Sequence, residues 1–292
     1  MNRGLAIAFL FAAGLPGQVS APPAAEIERL ELSPFYKQHV SADGLPIVSS
    51  QRVSPFALLE AQYLINKMLD GRDDIRQRLI DNKVRFAVMA VDEMTTMIPE
   101  HSDLKPSKYW DRRARGLGAS RSRPAVSCGE ENLLRSPGDP YWQESLLIHE
   151  FAHAIHIMAV SELDKTFNPR LTKAYRTALK AGLWKGKYAA SNESEYWAEG
   201  VQSWFDDNRP PDHDHNHVNT RIELKEYDPG LAALVKEVFG DREWRYQKPS
   251  SRPATERAHL EGLEMKTVRK FQWPDGLDAW YRDYMKKKSQ KR

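Results

Sequence analysis

The sequence predicts an α+β fold, helix-rich with a small sheet, and three observations carry that reading. Apolar residues recur at helical spacing along much of the 292-residue chain. Strand-like stretches are confined to short segments such as VRFAVMAVD and AVSC. No internal repeat of solenoid or propeller length is present. Together these argue for helices packed on one modest sheet.

The first residues, MNRGLAIAFLFAAGLPGQVSA, combine Arg3, an apolar run from about Leu5 to Ala13 and the small residues Ser20 and Ala21. That is the layout of a cleaved export signal. Residues 1–21 are therefore read as a signal peptide, 22–50 as a lead-in draped over the domain, and 51–292 as the domain itself. The run is shorter than the roughly 20 apolar residues of a spanning helix, and no later segment is read as apolar for that long. An exported protein, secreted or periplasmic, with no stable membrane insertion is expected. Export permits disulfides, yet Cys128 stands alone, so stability must come from packing or metal, and Cys128 is read as a buried structural thiol. The formal charge of +3 is small and its basic residues are interspersed with acidic ones, which excludes a nucleic-acid footprint. The tail KKKSQKR reads as solvated and frayed. Oligomeric state leaves no trace in the sequence.

Along the chain, Ser54-Pro55 starts a helix whose apolar positions Phe56, Leu59, Tyr63, Leu64 and Met68 carry it towards Gly71. VRFAVMAVD reads as a strand with at least one buried face. Residues 99–140 read as a long insertion, with RRARGLGASRSRP an exposed loop ahead of the extended AVSC. A helix is expected from Trp142 to about Val160, with Asp139-Pro140 as its start signal, and another from Asn168-Pro169 to Gly182. LWKGKYAA then looks extended. Helical spacing resumes in SNESEYWAEGVQSWF, capped by Ser191 or Asn192, and a last helix runs from Asp228-Pro229 to Gly240.

Chemistry concentrates in LLIHEFAHAIH. His149 and His153, four apart, lie on one helical face and can reach one ion, with Glu150 beside them as a general base. Burying these groups among Leu146, Leu147, Ile148, Phe151 and Ile155 is costly without a ligand. His156 is read as a satisfied core or supporting histidine, since a fourth protein ligand would close the open position that hydrolysis needs. The pattern HExxHxxGxxH fails, because His156 and Ala159 replace its Gly and last His. Remaining donors for a third ligand are Glu193, Glu195 and Glu199 on the SNESEYWAEG helix, or the tract with His213, His215 and His217, which reads as a surface turn.

HEFAHAIH followed by YAASNESEYWAEG resembles the gluzincin zinc metallopeptidases, the arrangement seen in the catalytic domain of anthrax lethal factor and related secreted peptidases. The likeness is confined to those two stretches. It implies a zincin-like catalytic domain over 51–292, one catalytic Zn2+ held by His149, His153 and Glu195, and Tyr188 as a transition-state hydrogen-bond donor. Glu199 would then support one of the histidines.

The expected activity is hydrolysis of peptide bonds in a peptide or protein substrate by zinc-activated water, with Glu150 as general base. VRFAVMAVD or AVSCGEENLL would supply an edge strand for the substrate, and Glu130 and Glu131 would meet a basic substrate or face solvent. Two rivals share the motif: a zinc hydrolase of a non-peptide amide or cell-wall substrate, and a non-catalytic zinc-stabilised binding protein, in which Glu150 would have no task.

Overall fold

In the computed structural model, residues 18–290 are described. Five short strands form one sheet in the order β1-β2-β3-β5-β4: β1 Gln38–Ala42, β2 Leu45–Ser49, β3 Arg85–Met89, β4 Gly116–Leu117 and β5 Ala125–Gly129. Asp43 and Gly44 both take positive φ, which makes the tight turn that pairs β1 antiparallel with β2. β2, β3 and β5 run parallel, and β4 returns antiparallel on the edge.

Helices cover this sheet: α1 Ala24–Leu30, α2 Pro55–Met68, α3 Asp73–Asp81, α4 Ser107–Arg113, α5 Glu130–Leu134, α6 Leu146–Ile155, the single turn α7 Ser161–Leu163, α8 Phe167–Lys180, α9 Glu193–Trp204, α10 Arg221–Tyr227, α11 Pro229–Phe239 and α12 Leu277–Ser289. The fold is thus helix-rich with a small mixed sheet. One sheet face contributes Ile47, Phe86, Val88 and Val126 to the main core with α2, α6 and α9. The other face, through Val48, Ala87 and Met89, packs on Leu30, Leu32, Tyr36 and Ile98.

Several expectations change. Of the signal segment 1–21, only the last four residues are described, and there Ser20 bridges His39 through two backbone hydrogen bonds of 3.0 and 2.7 Å. Residues 22–50 are no drape: they supply α1, β1 and β2, and α1 helps seal the back of the sheet. β3 is buried on both faces because it lies at the sheet centre. RRARGLGASRSRP is not an exposed loop but contains the end of α4 and strand β4. The helix expected from Trp142 starts at Leu146 and passes through a π-helical turn, His156–Val160. LWKGKYAA is a series of turns ending in the 3-10 turn Tyr188–Ala190. The tail lysines 286–288 form the last turn of α12, where cations suit the helix dipole. Leu146–Leu163 is long and apolar enough to cross a membrane, contrary to the expectation of no later apolar stretch, but 67 % of it is buried inside the fold.

Caps explain why the functional helices start where they do. Asn192 accepts from Ser194 N and Glu195 N, and Asp228 from Leu231 N. The N-terminus of α6 is satisfied from a distance, with Asp207 Oδ2 accepting Ser145 N and Asn132 Oδ1 accepting Leu146 N, both at 2.8 Å. Glu130 and Glu131 do not face solvent or substrate. Glu130 accepts the backbone N–H groups of Ser54 and Val91. Glu131 forms a bidentate pair with Arg115, at 2.6 and 3.0 Å, and both side chains are fully buried. This pair holds the segment leading into β4 against α5.

Glu131→Ala leaves the Arg115 guanidinium buried and unpaired, so a loss of about 3–5 kcal/mol is expected in denaturant unfolding. A change below about 1 kcal/mol would show that water or the neighbouring carbonyls replace the carboxylate.

Candidate metal centre

The site is built where α6 crosses α9. The apolar residues Leu147, Ile148, Phe151, Ala152 and Ile155 of α6 are fully buried, which fixes the helix rotation and turns His149 and His153 towards α9. Trp197 Nε1 donates to Ala152 O at 2.9 Å and ties the two helices together. Because Asn192 starts α9, Glu195 falls in its first turn and faces the histidines.

Three donor atoms converge. His149 Nε2 lies 3.1 Å from Glu195 Oε2, His153 Nε2 lies 3.4 Å from the same oxygen, and the two Nε2 atoms are 3.2 Å apart. Donors around a tetrahedral ion at about 2.0–2.2 Å stand about 3.3–3.5 Å from one another, so the set matches in spacing and in chemistry. Glu195 is the third member, as the resemblance implied, and the group is suited to holding a metal ion.

The outer contacts orient the imidazoles. Gln202 Nε2 donates to Glu144 Oε2 at 3.0 Å, so its Oε1 faces His149 Nδ1, 2.7 Å away, and accepts its proton. Ser194 Oγ lies 2.8 Å from His153 Nδ1 and can accept in the same way. With Nδ1 so held, each Nε2 faces the centre, where a proton shared with Glu195 or a metal ion offsets the carboxylate charge.

Glu199 stands near His149, as expected, but does not hydrogen-bond it. Its Oε1 is 3.8 Å from His149 Nδ1, while Oε2 accepts from Asn208 Nδ2 at 3.0 Å and lies 3.6 Å from His215 Nε2. Gln202, three residues later on the same helical face, replaces it. Glu193 bonds Thr172, and His156 bonds Asn168 Oδ1 at 2.8 Å, away from the centre. Of the histidine tract, His213 is exposed and His217 packs on Tyr227, whereas His215 is buried and lines the cleft, with Nδ1 held by Asp212 at 2.8 Å. Sequence reading missed Gln202, and placed His215 in a surface turn where the structure buries it. The heptad step from Glu195 to Gln202 was the available signal for the first.

The centre opens into a cleft of about 580 Å³. Glu150 lines it beside the histidines; burial raises its pKa, partly offset by His149 and His153, which makes it a stronger base. Burial opposes protonation of His149, but Glu195, Glu150 and Glu199 overcome it and raise the pKa to about 10, the mark of a cation-seeking site. Burial also works against the Glu195 carboxylate, yet the two histidines hold its pKa below the usual range. Tyr188 lines the same cleft, its ring centroid 6.3 Å from that of His149. Burial and Glu195 raise its phenol pKa, while Arg113 opposes them.

One wall is β4. A Cβ on Gly116 would come within 3.0 Å of Glu150 Cγ, and one on Gly118 within 2.8 Å of His153 Cβ. Two glycines at strand spacing therefore let the edge strand lie against the histidine helix. Neither β3 nor β5, the candidates from sequence, is an edge.

Comparison with known proteins finds no matching family model, no matching characterised protein and no matching solved structure.

Alanine at His149, His153 or Glu195 is expected to abolish stoichiometric metal binding, read by elemental analysis. Gln202→Ala should retain the ligands but weaken binding by about 10–100-fold in chelator competition; unchanged affinity would show that it does not orient His149. Gly118→Val should also lower metal affinity while far-UV circular dichroism stays unchanged, because its side chain displaces His153.

Proposed function

We propose that the chain is an exported zinc-dependent metallopeptidase of the gluzincin type, with a zincin-like catalytic domain. The observation that carries this reading is the convergence of His149, His153 and Glu195 donors within 3.4 Å of one another beside Glu150 in an open cleft. His149, His153 and Glu195 would hold one zinc ion, whose Lewis acidity stabilises charge developing on a carbonyl oxygen.

The chain's own residues supply the rest. Glu150 takes the proton of the attacking water and returns it to the leaving amine. Tyr188, kept protonated by its raised pKa, donates a hydrogen bond to the developing oxyanion. Gln202 and Ser194 hold the imidazoles in the tautomer that presents Nε2. The edge position of β4 favours a peptide over a non-peptide amide, since an extended chain can add to that edge through backbone hydrogen bonds. A purely structural ion would have no use for Glu150 or for an open cleft. Export rests on the N-terminal residue pattern alone.

Glu150→Gln should keep its zinc and lose about 10²–10⁴ of the rate on a peptide library. Tyr188→Phe should lose about 10²–10³ in kcat with KM nearly unchanged. Full activity in Glu150→Gln would end the general-base assignment, and a zinc-loaded wild type inert on all peptides would end the peptidase reading.

A further inference from the structure

The cleft holds three arginines, and their pairing differs. Arg115 is consumed by Glu131 in the core. Arg209 donates to Glu144 at 2.7 Å and lies 3.7 Å from Asp212. Arg113 has no carboxylate within ion-pair distance among the described residues, and its ionisable neighbours are the phenols of Tyr188, Tyr109 and Tyr281. It is solvent-exposed and lines the cleft.

The cleft's own carboxylates do not compensate it. Glu144 is held by Gln202 and Arg209, Glu195 by the two metal-binding histidines, Glu199 by Asn208 and His215, and Asp214 by His213. Glu150 lies under Gly116 and makes no ion pair with Arg113.

Arg113 is also set on a fixed base. Its backbone carbonyl accepts from Tyr141 Oη at 2.9 Å. Helix α4, which carries it in its last turn, is braced by α12 through the Tyr109–Tyr281 stack and the Arg112–Asp278 ion pair. A guanidinium held at the rim of a cleft beside the catalytic tyrosine, three residues before the edge strand, is arranged to receive a carboxylate in a forked pair.

We infer that Arg113 is a specificity-determining residue that binds the side-chain carboxylate of an Asp or Glu close to the scissile bond, so that the preferred substrates are acidic peptides. This rests on the peptidase reading above and adds the substrate class to it. The position beside Tyr188 places the acidic side chain within a residue or two of the bond cleaved.

The test uses the full-length zinc-loaded protein on a randomised peptide pool with cleavage sites mapped by mass spectrometry, and the same pool captured on immobilised Glu150→Gln protein. Asp or Glu should be enriched at one fixed position near the cleavage site. For the best acidic peptide and its alanine-substituted twin, the ratio of kcat/KM should fall on the order of tenfold or more in Arg113→Ala. Arg113→Lys should retain part of it, and Arg113→Glu should shift the preference to Lys or Arg. A ratio unchanged in Arg113→Ala overturns the proposal, as does an equal fall on both peptides, which would make Arg113 a positioning residue for Tyr188. If the wild type cleaves no peptide but Glu150→Gln captures acidic ones, and the added Arg113→Ala change releases them, the anion site stands and the peptidase reading falls. Absence of acidic enrichment in both assays overturns the inference.

Discussion

The structure depends on one constraint: two imidazoles and a carboxylate must share a point inside an otherwise apolar helix packing. Leu147, Ile148, Phe151 and Ile155 bury all of α6 but Glu150, and His149 and His153 go in with them, each 8 % exposed. Polar groups in that setting are tolerated only with partners. Helix α9 provides them, since Glu195, Glu199 and Gln202 fall on one face at steps of four and three and Ser194 stands beside them. Packing and chemistry are therefore the same contact. Rotating either helix would expose apolar surface and unpair the histidines together.

Everything around that contact limits its freedom. Asp207 and Asn132 reach in from separate segments to satisfy the start of α6. The buried Arg115–Glu131 pair fixes the approach to β4, and Gly116 and Gly118 let that strand lie on Glu150 and His153 without a side chain between. The depth of the cleft is set by those absent side chains. Behind the sheet, the segment 22–50 completes the second hydrophobic layer, so the N-terminal region supports the site without touching it.

The electrostatics follow from the same geometry. Burial would suppress charge on each group, but carboxylates gathered around His149 make the centre attractive to a cation, and the histidines in turn keep Glu195 ionised. Glu150 takes part in this exchange, is raised in pKa by burial, and lines the cleft. Three groups suited to holding a cation therefore stand beside a carboxylate of raised pKa.

The amino-acid sequence by itself determined the helices that carry the centre and the donors on them. The HExxH spacing, a cap at Ser191 or Asn192 and the Asp228-Pro229 start are local signals, written within one or two helical turns; the structure keeps them and takes Asn192 as the cap. Glu195, set apart from Glu193 and Glu199 by the gluzincin resemblance, is the carboxylate that meets the histidines. Tertiary structure alone decided what meets across distance. Gln202 rather than Glu199 takes the His149 proton because the amide is anchored by Glu144, 58 residues away in sequence. RRARGLG became a cleft wall instead of a surface loop because β5 and the buried Glu131 were there to receive it. His215 was drawn from a polar tract into the cleft by Asp212 and Glu199. Local periodicity records which face of an element is buried; it carries no record of which other element arrives to bury it.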